Sequence, residues 1–126
     1  LQVRDWLYVI DHCTAIWAVY QTGAVDEVYN IGGCNEKTNL EVVKGILDYL
    51  GKPERLIEHV KDRPGHDRRY AMDAGKIMAE LGWEPSVTFE QGLQRTLNWY
   101  AAHQEWVDNV TSGAYQQYYD NMYKDR

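Results

Sequence analysis

Residues 62–70 carry the densest run of reactive side chains in this sequence, and they read Asp-Arg-Pro-Gly-His-Asp-Arg-Arg-Tyr. The three arginines offer planar guanidinium groups, which suit phosphate or carboxylate. Pro64 and Gly65 predict a turn, because proline fixes φ and glycine permits a positive φ. A turn flanked by such donors could hold an anionic small molecule. The alternative is a solvated loop with local ion pairs, since charged turns are common.

Length and charge limit the classes of function. The chain has 126 residues, which predicts one domain with a core of its own. Its net charge of −6 argues against nucleic acid and against an anionic membrane surface as partners. An anion site must therefore be local and built from a few arginines. The ten tyrosines and five tryptophans suit both a core and a ligand pocket.

The two cysteines, Cys13 and Cys34, show neither a Cys-x-x-Cys pair nor the spacing of metal ligands. We therefore predict reduced thiols, no metal site and a cytoplasmic protein. No run of residues approaches transmembrane length, so no membrane partner is expected. The sequence opens at Leu1 without a methionine, which predicts a piece of a longer protein.

Apolar, β-favouring runs predict a strand or extended segment at residues 6–10 and two further short strands, at residues 27–31 and 56–60. Helical spacing and capping residues predict the helices. The first predicted helix runs from an N-cap at Asp11 to Tyr20, with His12 in the core. The second runs from an N-cap at Thr38 or Asn39 to Leu50, with Leu40, Val43, Leu47 and Leu50 buried. The others run from an N-cap at Asp73 to Gly82, from a Thr88–Gln91 capping box to about His103, over residues 106–110, and over the tyrosine-rich tail at 114–123.

This pattern predicts an α/β fold of α+β-like, helix-rich character, with a small sheet and about five or six helices. Three strands of this length are few for a free-standing domain. We therefore expect that part of a larger sheet is missing.

Several sequence stretches together resemble the dTDP-glucose 4,6-dehydratases, a family of extended short-chain dehydrogenase/reductases. These stretches are Arg-Asp-Trp-Leu-Tyr-Val at 4–9, Tyr-Asn-Ile-Gly-Gly at 29–33, Asn-Glu-Lys-Thr-Asn at 35–39, the run at 62–70, Glu-Leu-Gly-Trp-Glu-Pro at 80–85 and Thr-Leu-Asn-Trp-Tyr at 96–100. The resemblance implies the C-terminal substrate-binding portion of a Rossmann-type, NAD(P)-binding protein. Residues 1–126 would form one nucleotide-sugar-binding domain, with the N-terminal NAD-binding domain absent.

The resemblance also implies a substrate-binding role for eight residues. Arg4 and Arg63 would hold the nucleotide diphosphate, with a hydrogen bond from Asn39. The other implied residues are Asp62, Pro64, Gly65 and His66, which would line the pocket, and Tyr123, which would close over the nucleotide.

Each of these side chains has a structural alternative. Arg4 and Arg63 could form surface ion pairs, Asn39 could cap its helix, and Tyr123 could only pack. His66 could be a turn histidine bonded to a neighbouring carboxylate. We predict a structural role for Arg68 and Arg69, the other two arginines of the run. Each would pair with Asp67 or Asp73.

In that family, NAD takes a hydride from C4 of the sugar, water is lost across C5 and C6, and the hydride returns to C6. The present sequence contains no glycine-rich dinucleotide turn and no Tyr-x-x-x-Lys. The resemblance therefore implies NAD in the parent enzyme but no cofactor-binding or catalytic residue in this chain. The chain alone would not convert dTDP-glucose to dTDP-4-keto-6-deoxyglucose.

Three alternatives for function remain open. The chain could be a stand-alone nucleotide-sugar-binding or interaction module, or part of a UDP-sugar epimerase or decarboxylase. It could also act as an assembly unit, because a half-sheet exposes apolar surface and unpaired edges. The expected partners are dTDP-glucose and further copies of the chain, as a homo-oligomer in which elements could be exchanged.

Overall fold

The computed structural model describes residues 2–62 and 64–113. The predictions for Arg63, Tyr123 and the tyrosine-rich tail fall outside these residues. The chain forms two compact units, Leu1–Gln94 and Arg95–Arg126. The single nucleotide-sugar-binding domain over residues 1–126 stays a prediction.

The described residues are rich in helix and contain one small sheet, which confirms the predicted fold class. The elements in chain order are β1 (Val3–Asp5), α1 (Val9–Thr22), β2 (Glu36–Thr38), α2 (Asn39–Tyr49), a 3₁₀ turn (Glu54–Leu56), α3 (Gly75–Leu81), α4 (Phe89–Ala102) and α5 (Gln104–Thr111). None of these helices is both long and apolar enough to cross a bilayer, among the residues described.

Strand β1 has neighbours along both of its edges. On one edge it pairs antiparallel with β2, with Val3 opposite Thr38 and Arg4 opposite Lys37. On the other edge Val3 forms an isolated parallel bridge with Arg69. Three residues of β1 therefore bring together two distant parts of the chain.

The core of the first unit lies between α1 and α3. Ala15 and Ile77 are fully buried, and Ala74 and Trp83 complete the cluster. The indole N–H of Trp83 donates to the Thr14 hydroxyl at 3.0 Å, so this large side chain is buried with its polar atom satisfied.

The helix ends follow the capping chemistry of the sequence. Thr38 caps α2 in a capping box with Glu41, and Gly51 and Gly82 adopt positive φ where α2 and α3 end. The cap of α3 differs, because Ala74 is the N-cap. The Asp73 carboxylate still accepts from the backbone N–H of Gly75 at 2.8 Å.

No strand forms at any of the three predicted positions, although Tyr8 in the first of them has an extended backbone. The strand predicted at 6–10 lies earlier, at β1, and α1 already begins at Val9. Residues 27–31 have no regular secondary structure. Lys76 on α3 binds this segment instead, because its ammonium contacts Glu27 and donates to the Val28 carbonyl at 3.1 Å. Leu56 is the last residue of the 3₁₀ turn, and residues 57–60 have no regular secondary structure.

The predicted inward faces of two helices are also wrong in part. On α2 the buried residue is Val42, whereas Val43 and Leu50 are 39% and 50% exposed. On α1 His12 is exposed and its neighbour Asp11 is buried. The helix begins two residues before the predicted cap, which places Asp11 in its first turn rather than at its start.

Candidate functional site

The charged turn at 62–70 packs directly against β1. The backbone N–H of Val3 donates to the Arg68 carbonyl at 2.8 Å, and Tyr70 N–H donates back to the Val3 carbonyl at 3.0 Å. Gly65 has φ +68°, which confirms the positive φ predicted for the turn. These two backbone bonds bring the turn beside Arg4, which lies about sixty residues away in sequence.

The half-buried guanidinium of Arg4 is the centre of the site. Its Nη1 donates to the Val3 carbonyl at 2.7 Å. Its Nη2 donates to His66 Nε2 at 2.9 Å and to the Asp67 carbonyl at 3.0 Å. The group also lies 4.9 Å from the centre of the Tyr70 ring, within cation–π range. Within residues 2–62 and 64–113 no carboxylate forms an ion pair with Arg4, so the surface-pair alternative does not describe it.

These contacts decide how Arg4 can meet an anion. A guanidinium has five N–H donors, and each of its two-donor edges includes an Nη2 hydrogen. Both Nη2 hydrogens are already used by His66 and Asp67. Arg4 therefore keeps single donors on Nε and Nη1, rather than a free bidentate edge. A diphosphate would need a second cation to be held at two points.

His66 is held in one tautomer. Because Arg4 can only donate, His66 Nε2 must accept, and the imidazole proton must sit on Nδ1. That nitrogen lies 2.6 Å from Asp62 Oδ1, to which it donates. Gln2 in turn donates to the other Asp62 oxygen. The predicted alternative, a turn histidine bonded to a neighbouring carboxylate, is therefore present, and Asp62 fixes the acceptor that Arg4 uses.

The remaining arginines of the turn are not paired as predicted. Arg69 forms a two-bond pair with Glu36 on β2, at 2.7 and 2.6 Å, instead of pairing with Asp67 or Asp73. The reason is the Val3–Arg69 bridge, which brings Arg69 to the β2 side. This hydrogen bonding lowers the pKa of the Glu36 carboxyl and raises the pKa of Arg69. The exposed Arg68 guanidinium has no side-chain partner in the described part of the chain.

Asn39 is the first residue of α2, and its exposed side chain does not cap the helix, because Thr38 does so. Its backbone N–H donates to the Gln2 carbonyl at 3.0 Å, which places it next to the residue that contacts Asp62. The structure thus brings together Arg4, Asp62 and His66, and it places Asn39 directly after β2, the strand that pairs with β1.

Asp5 is an organising residue that sequence reasoning did not identify. Its two oxygens accept the backbone N–H groups of Gly33 and Asn35, both at 2.9 Å. The chain approaches so closely here that a Cβ on Gly33 would lie 2.3 Å from the Trp6 carbonyl oxygen. The signal was available in the sequence, since an acidic residue stands beside Arg4 and a Gly-Gly pair follows later. The link between them needed the fold.

Asp11 is the second residue that was missed. It is only 2% exposed, and its Oδ1 accepts from the Ser86 hydroxyl at 2.6 Å. Its Oδ2 has no hydrogen-bond partner among the described residues. Ser86 lines an open cavity of about 390 Å³ formed by residues 33–35, 84–88, Met78 and Gln91. No predicted site residue within the described ranges lines this cavity.

The described residues contain no cluster of three or more potential metal ligands. Cys13 and Cys34 are exposed free thiols. The described site thus combines the Arg4 guanidinium with the His66–Asp62 pair, and the guanidinium supplies donors that suit an anion.

Comparison with known proteins relates this site to a family. The protein-family model described as GDP-mannose 4,6 dehydratase matches residues 1–96. The dTDP-glucose 4,6-dehydratase of Salmonella typhimurium is 53% identical over 132 residues, covering 99% of this chain and 37% of that protein. The chain thus spans little more than a third of the length of that curated relative.

Two solved structures also match this chain over about a third of their own length. The dTDP-glucose 4,6-dehydratase of Bacillus anthracis, in complex with NAD, is similar with a TM-score of 0.80 and 59% identity, over 84% of this chain and 33% of that one. The Bordetella bronchiseptica enzyme WbmG, in complex with NAD and UDP, is similar with a TM-score of 0.70 and 26% identity, over 81% of this chain and 32% of that one.

Proposed function

The chain belongs to the GDP-mannose 4,6 dehydratase family, and from that premise we propose that it is the nucleotide-sugar-binding part of a dTDP-glucose 4,6-dehydratase. Its ligand would be dTDP-glucose. The diphosphate would be held by Arg4 and Arg63, with Asn39 and the turn containing Asp62, Pro64, Gly65 and His66 around it, and Tyr123 closing over the nucleotide.

The observation that carries this proposal is the contact between Arg4 and His66. It joins β1 to the turn that contains Arg63, although about sixty residues separate them. Since Arg4 offers only single donors, the pyrophosphate would require the second guanidinium that the turn supplies. The similarity to dTDP-glucose 4,6-dehydratases supports the identity of the nucleotide.

The residues of this chain do not fit NAD, which the solved relative binds. A dinucleotide site needs a glycine turn open to the pyrophosphate. The Gly-Gly pair at 32–33 packs against Asp5 instead. A Cβ on Gly32 would lie only 2.6 Å from Asp5 Oδ2. The proposed function of this chain therefore includes no hydride step. Incubation with dTDP-glucose and NAD should give no keto-sugar, and turnover by the pure chain would overthrow this part of the proposal.

Titration calorimetry with dTDP tests the binding site directly. We expect micromolar binding that Arg63→Ala abolishes and Arg4→Ala weakens at least tenfold. Arg68→Ala is the matched control, because it removes the same charge from the same turn while its side chain has no partner among the described residues. The control should change the affinity by less than about threefold.

The outcomes separate the alternatives. Equal losses from all three arginine variants would mean a diffuse charge effect and would refute the assigned site. No binding by the unaltered chain would refute binding by these 126 residues alone. Competition among dTDP, UDP and GDP tests the runner-up, a UDP-sugar epimerase or decarboxylase, which the similarity to an enzyme solved with UDP favours.

We extend the proposal to self-association of the isolated chain, through apolar surface that the described residues leave exposed. Sedimentation at rising concentration should show a homo-oligomer. A clean monomer at high concentration would contradict this part of the proposal without affecting the nucleotide site.

A further inference from the structure

Tyr70 contacts Arg4 in a different way from the hydrogen-bonding residues of the site. Arg4 donates to His66 and to the carbonyls of Val3 and Asp67, and the N–H groups of a guanidinium all lie in its plane. The Tyr70 ring instead faces that plane, because Arg4 Cζ lies over the ring at 4.9 Å from its centre. The hydrogen bonds therefore hold the edges of the guanidinium, and the ring opposes its tilt.

The Tyr70 ring is fixed at both of its ends. The backbone N–H of Tyr70 donates to the Val3 carbonyl at 3.0 Å, and the same oxygen accepts from Arg4 Nη1. The Tyr70 hydroxyl donates to Asp67 Oδ2 at 2.6 Å, and the carbonyl of Asp67 accepts from Arg4 Nη2. The ring and the guanidinium thus share two anchoring residues, so the fold itself places one against the other.

This restraint matters because Arg4 has no two-donor edge left for an anion. A free guanidinium fork aligns itself on a phosphate through two parallel hydrogen bonds. The single donors on Arg4 Nε and Nη1 lack that alignment, and a hydrogen bond weakens steeply when its angle is poor. A long side chain that becomes ordered only on binding weakens the affinity by about two- to twelvefold. The orientation of Arg4 before binding should therefore set part of the affinity.

We propose that Tyr70 is a positioning residue for a nucleoside diphosphate. Its ring holds the Arg4 guanidinium at one tilt, so that the Nε and Nη1 donors have a fixed direction before the phosphate binds. The inference rests on the proposed diphosphate site, whose affinity it explains further. Tyr70 is 53% exposed, and a cation–π contact at an exposed site contributes little to stability. Removal of the ring should therefore change binding rather than folding.

Nuclear magnetic resonance of the ligand-free chain tests the restraint itself. Rotation about the Nε–Cζ bond of Arg4 should be slow in the unaltered chain. Tyr70→Leu should speed this rotation about two- to fivefold, because the ring face is lost, whereas Tyr70→Phe keeps the ring and should keep the slow rate. The same rate in all three proteins would overturn the proposal, whether or not the chain binds a nucleotide.

Titration calorimetry with dTDP measures the consequence for binding. Tyr70→Leu should weaken binding about fivefold, and Tyr70→Phe should stay within about twofold of the unaltered chain. Tyr49→Leu is the matched control, because Tyr49 is 40% exposed but lies on α2, and it should leave the affinity unchanged. When Arg4 is already alanine, Tyr70→Leu should have no further effect, since the ring acts through Arg4.

The binding results that would overturn the proposal differ from those that would overturn the proposed function. Additive losses from Arg4→Ala and Tyr70→Leu would show that the ring acts on something other than Arg4. Equal losses from Tyr70→Leu and Tyr70→Phe would assign the effect to the hydroxyl, and an equal loss from Tyr49→Leu would mean general damage. Failure of the unaltered chain to bind dTDP would instead refute nucleotide binding by these 126 residues, and the rotation rate of Arg4 would then decide the role of Tyr70.

Discussion

Asp5→Asn is the sharpest test of how the site is built. The carboxylate accepts one backbone N–H on each oxygen, from Gly33 and from Asn35, both at 2.9 Å. Gly33 is buried, so its backbone N–H relies on this carboxylate as a partner within the protein. An asparagine has nearly the same shape but only one acceptor oxygen. Whichever way the amide turns, its NH₂ group faces one of the two backbone donors.

The magnitude follows from these two bonds. Losing a hydrogen bond to a charged group costs about 1.5–3 kcal/mol. The surviving bond also weakens, by roughly 1 kcal/mol, because a neutral oxygen replaces a charged one. We therefore expect Asp5→Asn to lower the free energy of unfolding by about 3 kcal/mol.

Urea unfolding followed by tryptophan fluorescence measures this change. With a slope of about 2 kcal/mol per molar urea, the midpoint should fall by roughly 1.5 M. Asp48→Asn is the control, because Asp48 is exposed on α2, and it should stay within about 0.5 kcal/mol of the unaltered chain. A change below about 0.5 kcal/mol for Asp5→Asn would refute the role assigned to this carboxylate.

Variants at three further positions are tested by the same titration. Gly33→Ala should cost more than about 2 kcal/mol, because its Cβ would lie 2.3 Å from the Trp6 carbonyl oxygen, and a neutral result would contradict that packing. Thr38→Ala should cost about 1 kcal/mol through loss of the cap, and Thr38→Ser should recover most of it. Arg69 lowers the pKa of Glu36 below 4.5. The stabilisation that the Glu36–Arg69 pair contributes is thus complete above pH 4.5, and it is lost as the pH falls through the lowered pKa of Glu36. Glu36→Gln should therefore differ from the unaltered chain at pH 7 but not in acid, and a pH-independent difference would count against the pair.

The local parts of the fold could be predicted from the sequence. Helix ends depend on neighbouring residues, so the Thr38 cap, the Thr88–Gln91 box and the glycines after α2 and α3 follow from short-range chemistry. The turn at Gly65 follows for the same reason. Each needs only a few residues of context, and each is present.

The strands could not be predicted, because a strand is defined by its partner. Residues 27–31 have the right composition, yet no strand of the described residues lies beside them. Val3–Asp5 contains two charged residues and still forms β1, because β2 and the 62–70 turn supply hydrogen bonds on both edges. The inward position of Asp11 was hidden for a related reason, since its partner Ser86 is distant in sequence.

The site was accessible from sequence only as a set of residue types. Arginine, histidine and aspartate in one turn indicate an anion site, but the pairing of Arg69 with Glu36 and of Arg4 with His66 depends on which strands are neighbours. The lack of a free two-donor edge on Arg4 is the least predictable feature, because it depends on which guanidinium hydrogens already donate to His66 and Asp67.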